Sequence, residues 1–465
     1  MKIGIQNLGF VKNVELDLSK DLIILCGPNN TGKTYVAYAT YGLMKFRSDL
    51  PKFKKVTDGL RILLLKGHFD FDIVDLLKDG ADYLDGFAKS YVKNIYKVFA
   101  SDESLFSKTL IDIKLGNEKE LEDTVRAQMI NQELGIRNSL SFRLTKEQNS
   151  TILSCILIES EKSDASINVE NNSKRAVTSS IIMEFLADRI SDIILSFIFP
   201  KAFISPAERI AINIFSKELS LKRNVLVDKL LELKDIGKDD DPFDLIKRRA
   251  SRYPLPIRDS LEIAEDLINF KKNKSEYDHF ATEIENDILK GQVIISKEGD
   301  VQFKPEKAKS LKLPIHLTAS VVKSLSNLVI YFRHLATKGD FIIIDEPELN
   351  LHPDNQVVIA RIIAKIVNNG FKVMINTHSD YIIREINNLI MINHQPNYII
   401  NHKIPSDYLL SSERIDAILF KYDNRKAMTL NVSESGFEVS TIDEVINDLN
   451  NRSQELYFKN YTEND

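Results

Sequence analysis

Three stretches of the sequence predict an α/β fold with a parallel sheet. Gly27-Pro28-Asn29-Asn30-Thr31-Gly32-Lys33-Thr34 fits the phosphate-loop pattern G-x-x-x-x-G-K-[ST]. The apolar run 341–344 ends in Asp345-Glu346, and a further apolar run, 371–376, ends in Thr377-His378. Largely apolar runs of this length suit strands buried on both faces, as parallel strands are.

The first run, 21–26 (Asp-Leu-Ile-Ile-Leu-Cys), reads as a strand, and 34–44 as the helix that the loop opens. A strand, a glycine-bearing loop and a helix N-terminus make a phosphate cradle. Gly27, Pro28, Asn29, Asn30, Thr31 and Gly32 form the loop that wraps the phosphates, its backbone N–H groups, which Pro28 lacks, serving as donors; Lys33 reaches the β- and γ-phosphates, and Thr34 supplies an oxygen to Mg²⁺. The chain is therefore expected to bind and hydrolyse a nucleoside triphosphate.

Four apolar residues before Asp345 place its carboxylate at the carboxyl end of a buried strand, where ligands sit in open α/β sheets. There Asp345 can hold the Mg²⁺ shell and Glu346 can orient or deprotonate the attacking water. An acid pair at a helix N-terminus is the plainer alternative. His378 ends the next strand and is expected to hydrogen-bond the γ-phosphate and the attacking water.

These motifs carry a resemblance. Asp345-Glu346-Pro347-Glu348-Leu349-Asn350-Leu351-His352-Pro353, then Thr377-His378-Ser379-Asp380-Tyr381-Ile382-Ile383, resembles the ABC-type ATPase module of SMC, RecF and OLD-like proteins. Residues 2–10 and 14–18 are similar to the two strands that open that module. The likeness covers roughly 1–44 and 200–390 and marks the class rather than one member. Within the class, the sequence looks most like antiviral-defence ATPases of the Septu (PtuA), PARIS and OLD types.

The resemblance implies a P-loop NTPase of ABC/SMC-head type with mostly helical insertions. It implies ATP and Mg²⁺ as cofactors and a head-to-head dimer or higher homo-oligomer. It also implies Asn350 and Leu351 in a loop crossing the dimer interface, and residues 317–325 at the signature position. There Val321 stands where ABC transporters have a glycine of Leu-Ser-Gly-Gly, so contact with the partner's γ-phosphate falls to Ser320, the helix N-terminus and Lys323. An ordinary capped helix is the alternative. Ala207-Glu208-Arg209 occupies the Q-loop position without a glutamine, leaving Arg209 as the γ-phosphate sensor.

The expected organisation is residues 1–44 as the first part of the head and 45–199 as a mainly helical insertion. A Q-loop-like return at 200–210 and a second helical insert at 211–290 follow, then the remainder of the head at 291–390 and a small α/β extension at 391–465. In the first insert, 73–99 and 177–199 have helical spacing, while 141–158 alternates like strands around a polar break at 146–150. In the second, 235–244 reads as a loop and 247–253 (Lys-Arg-Arg-Ala-Ser-Arg-Tyr) as the most basic patch, either a solvated face or a nucleic-acid contact. Residues 291–296 and 301–304 form a hairpin about Glu298-Gly299-Asp300. The extension offers strands at 417–422 and 428–432 and helical spacing at 442–458.

A net charge of −5, from 62 basic and 67 acidic residues, argues against a basic nucleic-acid coat over the whole surface. Cys26 and Cys155 are too few for a disulfide framework, which fits the reducing cytoplasm. No leader opens the sequence, and no apolar run reaches the roughly eighteen residues of a membrane span, so no membrane partner is expected. Neither an Asp-x-Asp pair beyond His378 nor an H-N-H or D-E-x-K cluster appears, so any effector must be separate.

The preferred reading is thus the ATPase subunit of an antiviral defence system. Its paired heads would assemble or control a separately encoded toxin or nuclease, for example of HNH type, and nucleic acid is a further partner class. The alternative is a RecF/SMC-like DNA-repair ATPase that binds DNA. A membrane-transporter subunit is disfavoured by the inserts and the altered signature.

Overall fold

A computed structural model describes residues 1–46, 53–78, 81–136, 140–159, 172–216, 253–308, 310–422 and 425–462. Strands β1 (Lys2–Leu8) and β2 (Val11–Asp17) precede β3 (Leu22–Cys26), and helix α1 (Lys33–Lys45) follows the loop after β3. Next come α2 (Lys54–Lys66), β4 (His68–Asp72), α3 (Ile73–Lys78), α4 (Ala81–Phe99), β5 (Leu110–Lys114) and α5 (Glu118–Ala127). Strands β6 (Ile130–Ile136), β7 (Leu140–Lys146) and β8 (Ile152–Glu159), helix α6 (Asn172–Ser196) and strand β9 (Ala202–Ser205) follow.

The chain then builds α7 (Leu255–Glu265), a small antiparallel sheet of β10 (Gly291–Ile295), β11 (Val301–Pro305) and β12 (Leu313–Pro314), and α8 (Ser320–His334). Strand β13 (Phe341–Asp345), α9 (Pro353–Asn368), β14 (Lys372–Thr377) and α10 (Asp380–Asn393) come next. Strands β15 (Ile415–Phe420) and β16 (Ala427–Thr429) and helix α11 (Ser440–Thr462) complete the described chain. It forms two compact units: Met1–Lys2, Leu43–Tyr91 and Asp112–Lys201 make the smaller, and Ile3–Gly42, Val92–Ile111 and Ala202–Asp465 the larger.

The larger unit is built on a six-stranded sheet in the order β16-β15-β3-β14-β13-β9. Only β16 is antiparallel to its neighbour. Strands β3 and β13 are buried at every residue, which explains why they read as continuous apolar runs rather than alternating ones. Each large aliphatic side chain so buried contributes about 1.5–3 kcal/mol. Helix α9 starts with Pro353 in its first turn, where the missing N–H is no loss, and buries Ile359, Ile362, Ile363 and Ile366 in the same core.

Register decides where the chemistry falls. Asp345 lies opposite Asn376, and Thr377 opposite Cys26, so β13, β14 and β3 end level with one another at one sheet edge. The polar ends of β13 and β14 thus lie at the edge where β3 gives way to the loop that begins at Gly27. The fold class expected from the sequence is the one observed.

Three features differ from expectation. The smaller unit holds a sheet that a mainly helical insertion did not announce: besides α2, α3, α5 and α6 it has antiparallel strands in the order β4-β8-β7-β6. Phe71, Phe142, Leu144, Leu153 and Cys155 bury one face of it. Strands as short as His-Phe-Asp-Phe-Asp, with acids on the outer face, carry too few apolar residues to declare themselves.

Secondly, 391–465 is not a separate extension. Strand β15 pairs in parallel with β3, Ile415 opposite Leu22 and Leu419 opposite Cys26, and is buried throughout. The strand was expected to start at 417 because Asp416 interrupts the apolar run. Asp416 is buried because its Oδ2 accepts the Asp17 N–H at 3.0 Å. A charge introduced here should therefore be costly: Ile418→Asp, at a side chain 1% exposed, is expected to destabilise the chain by about 4 kcal/mol or more. Thermal unfolding measures this, and an unchanged midpoint would mean that β15 is dispensable.

Thirdly, the second insert is described only in part. Helix α7 and the hairpin of β10 and β11, with Ile295 opposite Val301, match expectation. The loop at 235–244 and all of the basic patch except Tyr253 lie outside the described residues.

Candidate active site

The loop between β3 and α1 curls because three residues take left-handed backbone angles: Gly27 (φ +123°), Asn30 (φ +58°) and Gly32 (φ +99°). A Cβ on Gly27 would sit 2.3 Å from the Phe420 carbonyl oxygen of β15, and one on Gly32 would sit 2.3 Å from Val11 Cγ2. Both glycines are thus required by space as well as by angle. Gly27→Ala is expected to lose about 1–3 kcal/mol from backbone strain alone and to weaken nucleotide binding, checked by thermal unfolding alongside an equilibrium titration.

Within the loop, Thr31 Oγ1 donates to the Pro28 carbonyl at 2.8 Å, and Tyr422 Oη donates to the Asn29 carbonyl at 2.5 Å. Lys33, 7% exposed, donates through Nζ to the carbonyls of Gly27 (2.8 Å) and Pro28 (2.7 Å). Burial pushes its pKa below the usual lysine value, opposed by the nearby charges of Asp345, Cys26, Glu348 and Glu346.

The metal-type acid is at the next strand but one. Asp345 is 1% exposed; its Oδ1 accepts from Asn376 Nδ2 at 2.8 Å and lies 3.5 Å from Thr34 Oγ1. Asp345 Oδ2 and Asn376 Oδ1 are buried with no hydrogen-bond partner among the described residues. Burial pushes the Asp345 carboxyl up to about 6, resisted by the Asn376 and Thr34 hydrogen bonds and reinforced by Glu346 and Glu208. A buried carboxylate with an open oxygen beside a threonine hydroxyl is a hard-oxygen donor set that fits Mg²⁺.

Glu346 turns the chain sharply, with φ +52°, a left-handed angle that costs a side-chain-bearing residue about 1–2 kcal/mol. Its N–H donates to the Asn376 carbonyl at 2.9 Å, and its own carbonyl accepts from Leu349 N (3.0 Å) and Arg209 (2.6 Å). The side chain is half-buried, at the same edge as Asp345.

His378 is 37% exposed and is fixed from behind by Glu348. That carboxylate accepts from Thr377 Oγ1 at 2.9 and 3.0 Å and from the His378 N–H at 2.9 Å, and lies 3.8 Å from His378 Nδ1. Ser379 then caps α10, its hydroxyl accepting from Ile382 N at 3.3 Å.

The structure thus gathers Gly27–Thr34, Asp345, Glu346 and His378 at one edge. Ser320 is exposed at the first turn of α8, and no hydrogen bond among the described residues ties it to the loop. Arg209 differs from expectation: it is 1% exposed and directed at protein oxygens, which does not suit a γ-phosphate sensor. Sequence reasoning missed Asn376 and Glu348. A polar residue closing an apolar strand and a second glutamate two residues after Glu346 were the signals available.

Comparison with known proteins gives the family. Residues 1–383 match the family described as AAA ATPase domain. No curated protein matches the chain. Among solved structures, the chain is similar to an SMC head bound to the C-winged-helix domain of ScpA, at 11% identity and TM-score 0.33 over 93% of this chain and 97% of that one. Another is an Smc head with an extended coiled coil bound to the ScpA C-terminal domain derived from Pyrococcus furiosus, at 13% identity and TM-score 0.31 over 97% and 98%. A third is RecF with an ATP analogue, at 10% identity and TM-score 0.32 over 92% and 97%. The assignment rests on the family match, which covers more than half the chain. The protein belongs to the AAA ATPase domain family and is a nucleotide-binding P-loop ATPase.

Proposed function

We propose that the protein hydrolyses ATP with Mg²⁺ as the nucleotide-driven subunit of an antiviral defence system. The observation that carries the chemistry is the convergence of Lys33, Thr34, Asp345, Glu346 and His378 on one sheet edge. The loop of Gly27, Pro28, Asn29, Asn30, Thr31 and Gly32 wraps the β- and γ-phosphates, its N–H groups other than at Pro28 donating to them together with Lys33. Thr34 and Asp345 would hold Mg²⁺, which when bound neutralises charge on the β- and γ-oxygens. Glu346 orients the attacking water and accepts its proton, and His378, steadied by Glu348, donates a hydrogen bond toward the γ-phosphate.

Ser320 acts on a second copy. Exposed at the start of α8, it would meet nucleotide held by a partner head, two sites then being completed by pairing, in a dimer or a higher oligomer. The defence role is supported by the resemblance of residues 345–353 and 377–383 to Septu, PARIS and OLD-type ATPases, and by the lack of an effector motif in the sequence. The partner is then a separately encoded nuclease or toxin, and the working compartment the cytoplasm. No helix among the described residues is long and apolar enough to cross a membrane.

Expression with the flanking genes, with and without ATP and Mg²⁺, followed by mass spectrometry and sizing of what co-purifies, tests this reading. A stoichiometric nuclease or toxin supports it. A bare dimer carrying DNA would replace it with a RecF- or SMC-like repair ATPase.

A further inference from the structure

Four consecutive residues after β9, Pro206 to Arg209, fasten three parts of the site. Glu208 Oε2 accepts from Tyr38 Oη of α1 at 2.9 Å. Arg209 Nε donates to the carbonyl and to the hydroxyl of Ser324 on α8, both at 3.0 Å. One terminal nitrogen donates to the carbonyls of Pro206 (3.0 Å) and Asp345 (2.6 Å), and the other to the carbonyl of Glu346 (2.6 Å).

A guanidinium in this place is not a space-filler. Arg209 is 1% exposed, its nearest acceptors are carbonyls and a hydroxyl, and burial pulls its pKa down to about 10, so it remains charged at neutral pH. An apolar side chain would fill the volume without that desolvation cost. What only a planar fork of donors provides is simultaneous contact with α8 and with two successive carbonyls at the end of β13.

Those carbonyls belong to the residues whose placement matters most. The left-handed turn at Glu346 is held by two backbone bonds, one to Asn376 and one to Arg209, besides the turn bond from Leu349. Ser324 lies one helical turn after Ser320 on α8. A shift of α8 is therefore felt at Ser324 and passed through one rigid group to the Glu346 backbone.

We propose that Arg209 is a positioning residue that couples α8 to Glu346, so that the water-orienting carboxylate is set by the same helix that meets a partner's nucleotide. The inference rests on the assignment of Glu346 under Proposed function. Arg209 touches no reacting atom; it acts through the Glu346 backbone.

Arg209→Lys keeps the charge and removes the fork. Turnover should fall on the order of a hundredfold while nucleotide affinity stays within about twofold, since misplacement of a catalytic group by about 1 Å has that effect. In a Glu346→Gln background the same substitution should cause no further fall in residual single-turnover rate, because the group it positions is already disabled. Multiplying losses, or an Arg209→Lys rate equal to the parent's, would overturn the coupling while leaving Glu346 in place. Parental turnover in Glu346→Gln alone would overturn the Glu346 assignment instead. Should Arg209→Lys fail to fold, Ser324→Ala removes one acceptor of the same guanidinium, together with the hydroxyl's own bond to the Leu349 carbonyl, and is read by the same cycle.

Discussion

Glu346→Gln should bind nucleotide as tightly as the parent chain and turn it over about 10²–10⁴-fold more slowly, the span expected when a group that accepts a proton from the nucleophile is lost. The substitution is nearly isosteric. It leaves the φ +52° turn, the N–H bond to Asn376 and the carbonyl bond from Arg209 as they are, because all three belong to the backbone. The phosphate loop and the Asp345, Thr34 and Asn376 cluster are likewise untouched. Phosphate release under saturating ATP, paired with an equilibrium titration of a fluorescent ATP analogue, separates the two quantities. Turnover at the parental rate would reject Glu346 as the water-directing group.

Lys33→Ala should act on the other quantity. The ammonium is 7% exposed and already spends donors on the Gly27 and Pro28 carbonyls, so it lies within the loop rather than in bulk water. Its lowered pKa shows what burial costs the charge in the protein alone. Two phosphate oxygens would supply the counter-charge, and charge-assisted hydrogen bonds contribute about 1.5–3 kcal/mol each. Their removal amounts to about 3–6 kcal/mol, or at least a hundredfold in affinity. The same titration measures it, with thermal unfolding to establish that the variant is folded. Retained affinity in a folded variant would move phosphate binding away from this loop.

Much of this site was legible because its residues sit where strands stop. Gly27, Asp345 and His378 each follow an apolar run, and a run that ends in a polar residue marks the functional edge of a parallel sheet without any knowledge of the pairing. Glu348 and Asn376 were less visible because their roles are contacts across the sheet: one steadies His378 from the turn after β13, the other reaches from β14 to Asp345. Arg209 was misread for the same reason, since an arginine beside a nucleotide strand looks like an anion reader until its acceptors are known. The smaller unit was half legible. Its helices have long apolar stripes, whereas β4 is short and β6 polar through its middle, and β15 was hidden in part by a buried aspartate whose partner, the Asp17 N–H, lies far away in the sequence.

The pairing of β15 with β3 has a consequence for how the protein comes into being. The nucleotide strand is synthesised before both of its neighbours, β14 on one side and on the other a strand that ends at Phe420. Until that late segment emerges, β3 has an unpaired edge and Gly27 lacks the Phe420 backbone against which it packs. A contact of such long range is slow to form. Unfinished chains, and chains cut short before residue 415, therefore carry the phosphate motif without the wall that shapes it. The triphosphate cradle is assembled only once β15 has been made and has closed on β3.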